Sequence, residues 1–127
     1  MATNRISGNT EALAQADFVS LSAPLTPATE NLINAASIAK MKPGAILVNT
    51  GRGGLIDEPA LAEAVRSGHL AGAAVDVLRQ QSTNSPSPLI GVPGILVTPH
   101  MATLTRESMA RVAMSVAGSV IAALRGE

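Results

Sequence analysis

Two side chains that can bind anions or exchange protons, Arg52 and His100, each follow a short apolar run. Arg52 lies in the glycine-rich segment NTGRGG, where a guanidinium can hold a carboxylate through two parallel hydrogen bonds. His100 ends the segment VTPH, and an imidazole that titrates near neutrality can exchange a proton with a substrate hydroxyl. The plainer interpretations are a surface arginine and a capping or core histidine. Taken one at a time, the two residues leave both interpretations open.

A third polar residue, Asp76, closes the apolar run AGAAVDV. Its carboxylate can accept hydrogen bonds from an amide of a bound cofactor or can cap a loop, and the spacing does not decide between these roles. Gly51 and Gly53 match the first half of the dinucleotide-binding pattern G-x-G-x-x-G. Ile56 stands at the third glycine position, and the complete pattern occurs nowhere in the chain. We assign no role to the other histidine, His69.

Alternating strand and helix patterns must position these residues. Short apolar runs predict strands at residues 17–24, 45–50, 71–77 and 94–99. Helical patterns cover residues 10–16, 36–41, 58–67 and 106–124, with Asp57 and Thr105 as the N-caps of the last two. Because the strands are apolar on both faces, we expect an α/β fold, namely a partial Rossmann-like parallel sheet of about four strands with flanking helices. The carboxyl ends of such strands carry function, and they coincide with Arg52, Asp76 and His100.

The last predicted helix has apolar residues at helical spacing, for which core packing is the simplest explanation. These positions are Met109, Val112, Ala113, Val116, Val120 and Leu124. Ser115, Gly118 and Ser119 interrupt the apolar stretch, and we expect it to be too short to span a membrane.

The bulk composition excludes several classes of function. The 127 residues suit one domain, and nine basic residues balance nine acidic ones, so a nucleic-acid or membrane-surface partner is not expected. With 46% hydrophobic and 14% charged residues the chain is not of disordered composition. The absence of cysteine excludes disulfides and thiolate metal sites, and it fits a cytoplasmic protein; we expect no metal.

Three blocks occur together and in order: ADFVSLSAPLTPAT, then MKPGAILVNTGRGGLIDEPALAEAVRSGHLAGAAVDV, then ILVTPHMATLTRES. In these blocks the chain resembles the NAD-dependent D-2-hydroxyacid dehydrogenases, the group that contains phosphoglycerate, glycerate and formate dehydrogenases. The resemblance implies an oxidoreductase that acts on small 2-hydroxy or 2-keto acids with NAD or NADP. It also implies that Arg52 binds the substrate carboxylate and that His100 is the general acid/base. The positions that it places at the cofactor are Ala23, Thr50, Gly51, Arg52, Asp76, His100 and Thr103.

The chain departs from the family pattern in three ways. Gln81 stands where the family carries a glutamate in D-V-F-x-x-E-P, and a neutral amide does not stabilise an imidazolium as a carboxylate does. Ser22 stands where the family usually has a histidine. We also expect residues 1–127 to form the C-terminal half of a dinucleotide-binding domain, without the G-x-G-x-x-G half and without the substrate domain.

Three hypotheses follow from these departures. The first is a fragment of a dehydrogenase that is inactive by itself and binds NAD weakly or not at all, because the pyrophosphate site is missing. The second is a degenerate interaction module that forms a homodimer through the exposed edge of the strand at 17–22. The third is one half of a split enzyme that works with a separate N-terminal chain.

Overall fold

The computed structural model of the chain describes residues 10–80 and 86–126. Four short strands form a single sheet, and the predicted α/β class with a partial Rossmann-like sheet is confirmed. The strands are β1 (Phe18–Leu21), β2 (Ile46–Asn49), β3 (Gly72–Val75) and β4 (Ile95–Val97). The helices are α1 (Thr10–Gln15), α2 (Ala35–Ile38), α3 (Glu58–Arg66) and α4 (Arg106–Arg125), with a 3-10 turn at Gly53–Leu55.

The sheet is parallel throughout, and its spatial order β1-β2-β3-β4 follows the order of the chain. Leu21 lies opposite Asn49, and Asn49 lies opposite Val75, so β1, β2 and β3 end at the same level. The loops that follow these strands therefore open at one edge of the sheet. This is the edge at which ligands bind in open α/β sheets.

Helix α3 begins and ends where its sequence predicts. The side chain of Asp57 accepts a hydrogen bond from the backbone N–H of Ala60 at 3.2 Å, which is the expected N-cap. Beyond the helix, Gly68 adopts a φ of +77°, the left-handed conformation that glycine supplies at helix ends. The apolar face of α3, which includes Leu61 and Val65, is buried in the core beneath the sheet strands.

His69 has a structural contact that its sequence position did not indicate. The residue is half-buried, and its Nε2 lies 2.9 Å from the carbonyl oxygen of Ile38 at the end of α2. The imidazole therefore ties the connection between α3 and β3 to the neighbouring helix. This contact lies away from the loops that follow the strands.

The expectation that the apolar stripe of α4 packs in the core is wrong. None of the residues of α4 is buried; Met109, Val112, Val116 and Val120 are each more than half exposed, and Leu124 is 83% exposed. Thr105 does cap the helix as predicted, by accepting a hydrogen bond from the backbone N–H of Ser108 at 3.1 Å. Helical periodicity identifies the apolar side of a helix, but it does not show which element covers that side.

The expectation that the C-terminal stretch is too short to span a membrane also needs correction. Helix α4 has 20 residues and a mean hydropathy of 1.3 in its most apolar window, so by length and composition alone it is compatible with a span. Ser115, Gly118 and Ser119 do not interrupt the helix, which is continuous from Arg106 to Arg125. Core helices of soluble proteins and signal sequences have the same length and composition, so these two properties do not assign α4 to a membrane.

Candidate functional site

The loop after β2 is shaped by Asn49, a fully buried asparagine at the strand end. Its Oδ1 accepts a hydrogen bond from the backbone N–H of Gly51 at 3.0 Å, and its Nδ2 donates to the carbonyl of Arg52 at 3.0 Å. The guanidinium of Arg52 donates to the carbonyl of Gly51 at 2.8 Å and is exposed. The polar side chain of Asn49 thus folds the turn that presents Arg52 at the sheet edge.

The loop after β4 is shaped in the same way by Asp76, which is only 6% exposed. Its Oδ1 accepts hydrogen bonds from the hydroxyl of Thr98 and from the backbone N–H of Met101, the latter at 2.8 Å. Its Oδ2 accepts the backbone N–H of Ala102 at 2.9 Å. His100 lies inside the turn that these contacts close, and its side chain is exposed. Of the two roles left open for Asp76, the loop cap is present.

The same contacts determine the protonation of Asp76. The hydrogen bond from Thr98 and then that from the N–H of Ala102 hold the pKa of the Asp76 carboxyl below its ordinary value of 3.8. Burial opposes this shift, while the N–H of Met101 and the positive charge of His100 add to it. The carboxylate is therefore ionised throughout the neutral range.

A cavity of about 200 Å³ lies over the ends of the central strands, between the two loops. Its walls combine apolar side chains with three polar ones, and the apolar share is the larger. The apolar walls include Val48, Ala74, Leu96 and Met101, and the polar groups belong to Thr50, Asp76 and Thr98. A small flat ring that carries a polar substituent suits such a lining.

Two glycines of the NTGRGG loop pack closely against neighbouring segments, and Gly53 has no room for a side chain. A Cβ on Gly51 would lie 3.2 Å from the carbonyl oxygen of Ala23, so these two residues are neighbours across the loops that follow β1 and β2. A Cβ on Gly53 would lie 2.1 Å from the backbone of Leu78. The loop after β2 can pass beneath the chain that follows β3 only because Gly53 has no side chain.

Next to this edge, the carboxylate of Glu58 is buried at the first turn of α3. Its Oε1 accepts the backbone N–H of Arg79 at 2.7 Å, and its Oε2 accepts the hydroxyl of Ser87 at 2.7 Å. The side chain of Arg79 donates to Glu30, Asn31 and the carbonyl of Gly54. Gln81, at the position where the family resemblance places a glutamate, lies outside the described residues.

The structure brings some of the sequence-predicted site residues together. Thr50 and Asp76 line one cavity, Gly51 contacts the Ala23 backbone, and His100 lies in the turn closed by Asp76. Within residues 10–80 and 86–126, the lining of that cavity does not include Arg52, His100 or Thr103. These three residues are exposed, on the loops that follow β2 and β4. Ser22 is exposed directly after β1.

Sequence reasoning missed two residues of this edge, Asn49 and Thr98. Both lie within predicted strands, at 45–50 and 94–99. The available signal for Asn49 was its place at the end of an apolar run, two residues before Gly51, because asparagine commonly hydrogen-bonds the backbone two residues further on. Thr98 carried no such signal, since its partner Asp76 is 22 residues away.

Comparison with known proteins identifies the family. The family model described as "D-isomer specific 2-hydroxyacid dehydrogenase, NAD binding domain" matches residues 2–102. D-3-phosphoglycerate dehydrogenase of Mycobacterium leprae is 49% identical over 115 residues, which is 91% of this chain and 22% of that protein. (S)-sulfolactate dehydrogenase of Chromohalobacter salexigens is 45% identical over 112 residues, which is 88% of this chain and 36% of that protein.

Solved structures agree with the sequence matches. A Thermus thermophilus protein superimposes with a TM-score of 0.85 at 42% identity, over 93% of this chain and 38% of that one. D-lactate dehydrogenase of Lactobacillus jensenii, solved with NAD+, gives a TM-score of 0.84 at 33% identity, over 95% of this chain and 40% of that one. The chain thus spans between about a fifth and two fifths of the length of these relatives. It belongs to the D-isomer-specific 2-hydroxyacid dehydrogenases and matches their NAD-binding domain.

Proposed function

We propose that this chain supplies the nicotinamide-side half of a D-2-hydroxyacid dehydrogenase site and lacks the activity when isolated. In this proposal Arg52 binds the carboxylate of a small 2-hydroxy or 2-keto acid. His100 exchanges a proton with the oxygen on the neighbouring carbon of that acid. The substrate class is taken from the relatives, which include a D-lactate dehydrogenase of Aquifex aeolicus solved with NAD and lactic acid.

One observation carries the proposal. Two neighbouring loops at the carboxyl edge of the sheet are each built around a buried polar side chain, Asn49 for the loop of Arg52 and Asp76 for the loop of His100. Buried polar groups that have all their partners present restrict a loop to one conformation. Defined loops that carry an exposed guanidinium and an exposed imidazole can hold the carboxylate of a 2-hydroxy acid and exchange a proton with its hydroxyl.

The described residues fit one half of a dinucleotide. The cavity of about 200 Å³ over Thr50 and Asp76 has the size and the mostly apolar lining that a nicotinamide ring needs. When bound, a nicotinamide cofactor supplies the hydride chemistry, and the protein supplies binding and orientation. The pattern G-x-G-x-x-G, which binds the pyrophosphate in this fold, does not occur in these 127 residues.

We therefore expect NAD affinity to be weak or undetectable in the isolated chain. Pyrophosphate bound at a helix N-terminus contributes much of dinucleotide affinity in this fold. The replacement of the family's glutamate by Gln81 is a second reason to expect low activity, because no carboxylate at that position stabilises the protonated imidazole. Restoring that carboxylate alone should not produce an enzyme.

The test is an assay of NADH oxidation with glyoxylate, hydroxypyruvate and pyruvate, together with calorimetry of NADH binding. We expect no turnover by the isolated chain and none after Gln81→Glu. Micromolar NADH affinity, or turnover at an ordinary enzymatic rate, would overturn the fragment proposal. In that case Arg52→Gln should raise KM for the acid, and His100→Gln should lower kcat.

A split enzyme predicts a different result in the same assay. An added N-terminal half of a relative, containing the substrate domain and the G-x-G-x-x-G motif, should restore turnover. Arg66→Gln provides a matched control for Arg52→Gln, because Arg66 is an exposed arginine at the end of α3, away from the strand ends. If turnover is restored and the two variants Arg52→Gln and Arg66→Gln reduce it equally, the result counts against the role of Arg52.

A second candidate function, a homodimerising module, is favoured by the edge position of β1. In the part of the chain that the structure describes, β1 pairs with β2 alone, and Phe18 on this strand is 71% exposed. An unpaired edge with an exposed aromatic residue is a template for another chain. Light scattering should then show a dimer, and Phe18→Lys should convert it to a monomer, with Ser20→Lys on the same face of β1 as a comparison. A monomer at high concentration would exclude this candidate.

We also propose a cytoplasmic location, supported by the absence of cysteine. Cell fractionation with an epitope-tagged chain tests it. Recovery in the membrane or secreted fraction would contradict it.

A further inference from the structure

We infer that Asp76 is a positioning residue for His100, acting through the turn from Thr98 to Ala102. The inference rests on the proposed function, in which His100 exchanges a proton with the substrate. Asp76 directly follows β3, whereas His100 belongs to the loop after β4. The orientation of the imidazole at the end of one strand therefore depends on a carboxylate at the end of the next.

The contacts of Asp76 enclose the turn on both sides of His100. The hydroxyl of Thr98 lies before His100 in the chain, and the N–H groups of Met101 and Ala102 lie after it, and all three donate to the one carboxylate. A carboxylate has about four acceptor positions, so three are occupied. Hydrogen bonds to an ionised acceptor are stronger than neutral ones, which makes this the dominant restraint on the turn.

His100 needs such a restraint because its backbone is in the left-handed region. Its φ is +55°. Within residues 10–80 and 86–126, only one other non-glycine residue, Asn31, has a positive φ. Histidine adopts this region more readily than most residues, but at a cost that the surroundings must offset. The N–H of His100 donates to the carbonyl of Thr98 at 3.0 Å, which tightens the turn further.

Asp76 is itself held in place by the sheet. Its side chain is 6% exposed, and its backbone N–H donates to the carbonyl of Asn49 at 2.9 Å. The N–H of Thr98 donates to the carbonyl of Val75 at 3.0 Å, so the turn starts from a paired strand end. The carboxylate can therefore act as a fixed anchor for the turn.

The first experiment is NMR of the full 127-residue chain without cofactor, comparing wild type with Asp76→Asn. Asparagine can still accept from Thr98 and Met101 through its oxygen, but its amide group faces the N–H of Ala102. We expect hydrogen exchange at Ala102 to accelerate by at least about tenfold. The imidazole signals of His100 should shift and broaden.

The chain offers matched controls for this comparison. Its second histidine, His69, is anchored to Ile38, and its imidazole signals should stay unchanged in Asp76→Asn. Asp17→Asn makes the same chemical change at an exposed aspartate paired with Lys42, and it should leave His100 unchanged. Equal changes at His69 and His100 would show a general loss of structure and overturn the assignment.

If Asp76→Asn does not fold, acid titration of the wild-type chain gives the same information. The amide signals of Met101 and Ala102 should move together with a midpoint below the ordinary value of 3.8, because both N–H groups donate to Asp76. The charged group that contributes to this titration is His100, and the neutral donor is Thr98. Thr98→Val should raise the midpoint. Amide signals that do not follow the carboxylate would overturn the inference.

Titration with NADH separates this inference from the proposed function. If NADH binds with micromolar affinity, the proposed inactive fragment fails, while the positioning of His100 by Asp76 stands on the apo data. If NADH affinity is weak or undetectable, as proposed, but Asp76→Asn leaves the exchange at Ala102 and the signals of His100 unchanged, the positioning inference fails alone.

Discussion

The backbone N–H of Asp76 donates to the carbonyl of Asn49 at 2.9 Å and thereby joins the two buried polar residues of the candidate site. The side chain of Asn49 holds the loop of Arg52, and the side chain of Asp76 holds the loop of His100. The loops therefore share a support in the central strands of the sheet. A site built on paired strand ends is held more precisely than one built on free loops.

Removing the side chain of Asn49 should destabilise the chain. Asn49→Ala leaves the N–H of Gly51 and the carbonyl of Arg52 without their partner, which costs about 1–3 kcal/mol. Asn49→Asp keeps the acceptor for Gly51 but buries a carboxylate against the carbonyl oxygen of Arg52, so its cost should be at least as large. Urea denaturation followed by circular dichroism measures both changes. A free energy of unfolding for Asn49→Ala equal to that of wild type would contradict the assigned role.

Acid should weaken the structure through Asp76. The pKa of this carboxyl is lower in the folded chain than its ordinary value of 3.8, mainly because of the hydrogen bond from Thr98. A group of this kind stabilises the fold above its unfolded pKa, and the stabilisation is lost as the pH falls through the folded pKa. The free energy of unfolding of wild type should thus fall as the pH drops from about 5 towards 2. In Asp76→Asn the free energy of unfolding should depend less steeply on pH. If wild type and Asp76→Asn show parallel profiles of unfolding free energy against pH, the explanation is excluded.

Glu58 should contribute more to stability than Glu63, which lies on the same helix. Glu58→Ala leaves the N–H of Arg79 and the hydroxyl of Ser87 without an acceptor, at a cost of about 1–3 kcal/mol. Glu63→Ala on α3 is the matched control, because Glu63 is exposed and its change should lie within about 0.5 kcal/mol of wild type. Chemical denaturation of both variants is the measurement. Similar effects for the two would show that the buried contacts of Glu58 do not stabilise the fold.

Two glycines should respond to alanine in opposite directions. Gly53→Ala would place a Cβ 2.1 Å from the backbone of Leu78, so the loops must separate, which costs about 1–3 kcal/mol or more. Gly118 lies within α4 and has open space around its Cβ position, so Gly118→Ala should stabilise the helix by up to about 1 kcal/mol. Thermal unfolding should show a lower Tm for Gly53→Ala and an unchanged or higher Tm for Gly118→Ala. A Tm for Gly53→Ala equal to that of wild type would show that the close approach is absent.

The left-handed backbone of His100 predicts a preference for glycine at this position. His100→Gly should be more stable than His100→Ala by about 1 kcal/mol, because alanine pays the cost of positive φ and glycine does not. Differential scanning calorimetry of the two variants gives this difference. The reverse order, with alanine more stable, would argue against the turn conformation. Both variants lack the imidazole, so the comparison isolates the backbone.

The sequence determined the elements of this chain and their order, because the signals for them are local. Asp57 caps α3 and Thr105 caps α4 as predicted, since a cap interacts with backbone only two or three residues away. The four apolar runs were sufficient to predict a parallel sheet. The placement of Arg52 and His100 at strand ends followed directly from the ends of those runs.

Only the tertiary structure decided which groups the polar residues contact. It also decided that the apolar stripe of α4 is not buried. Asp76 could serve a ligand or a loop until folding brought it to Met101 and Ala102, 25 and 26 residues further along the chain. The role of Glu58 depends on Ser87, 29 residues away. Periodicity suggested a core helix at α4, yet burial requires a covering element, and none of its residues is buried. Local patterns follow from covalent neighbours, whereas partners and burial depend on how distant segments pack.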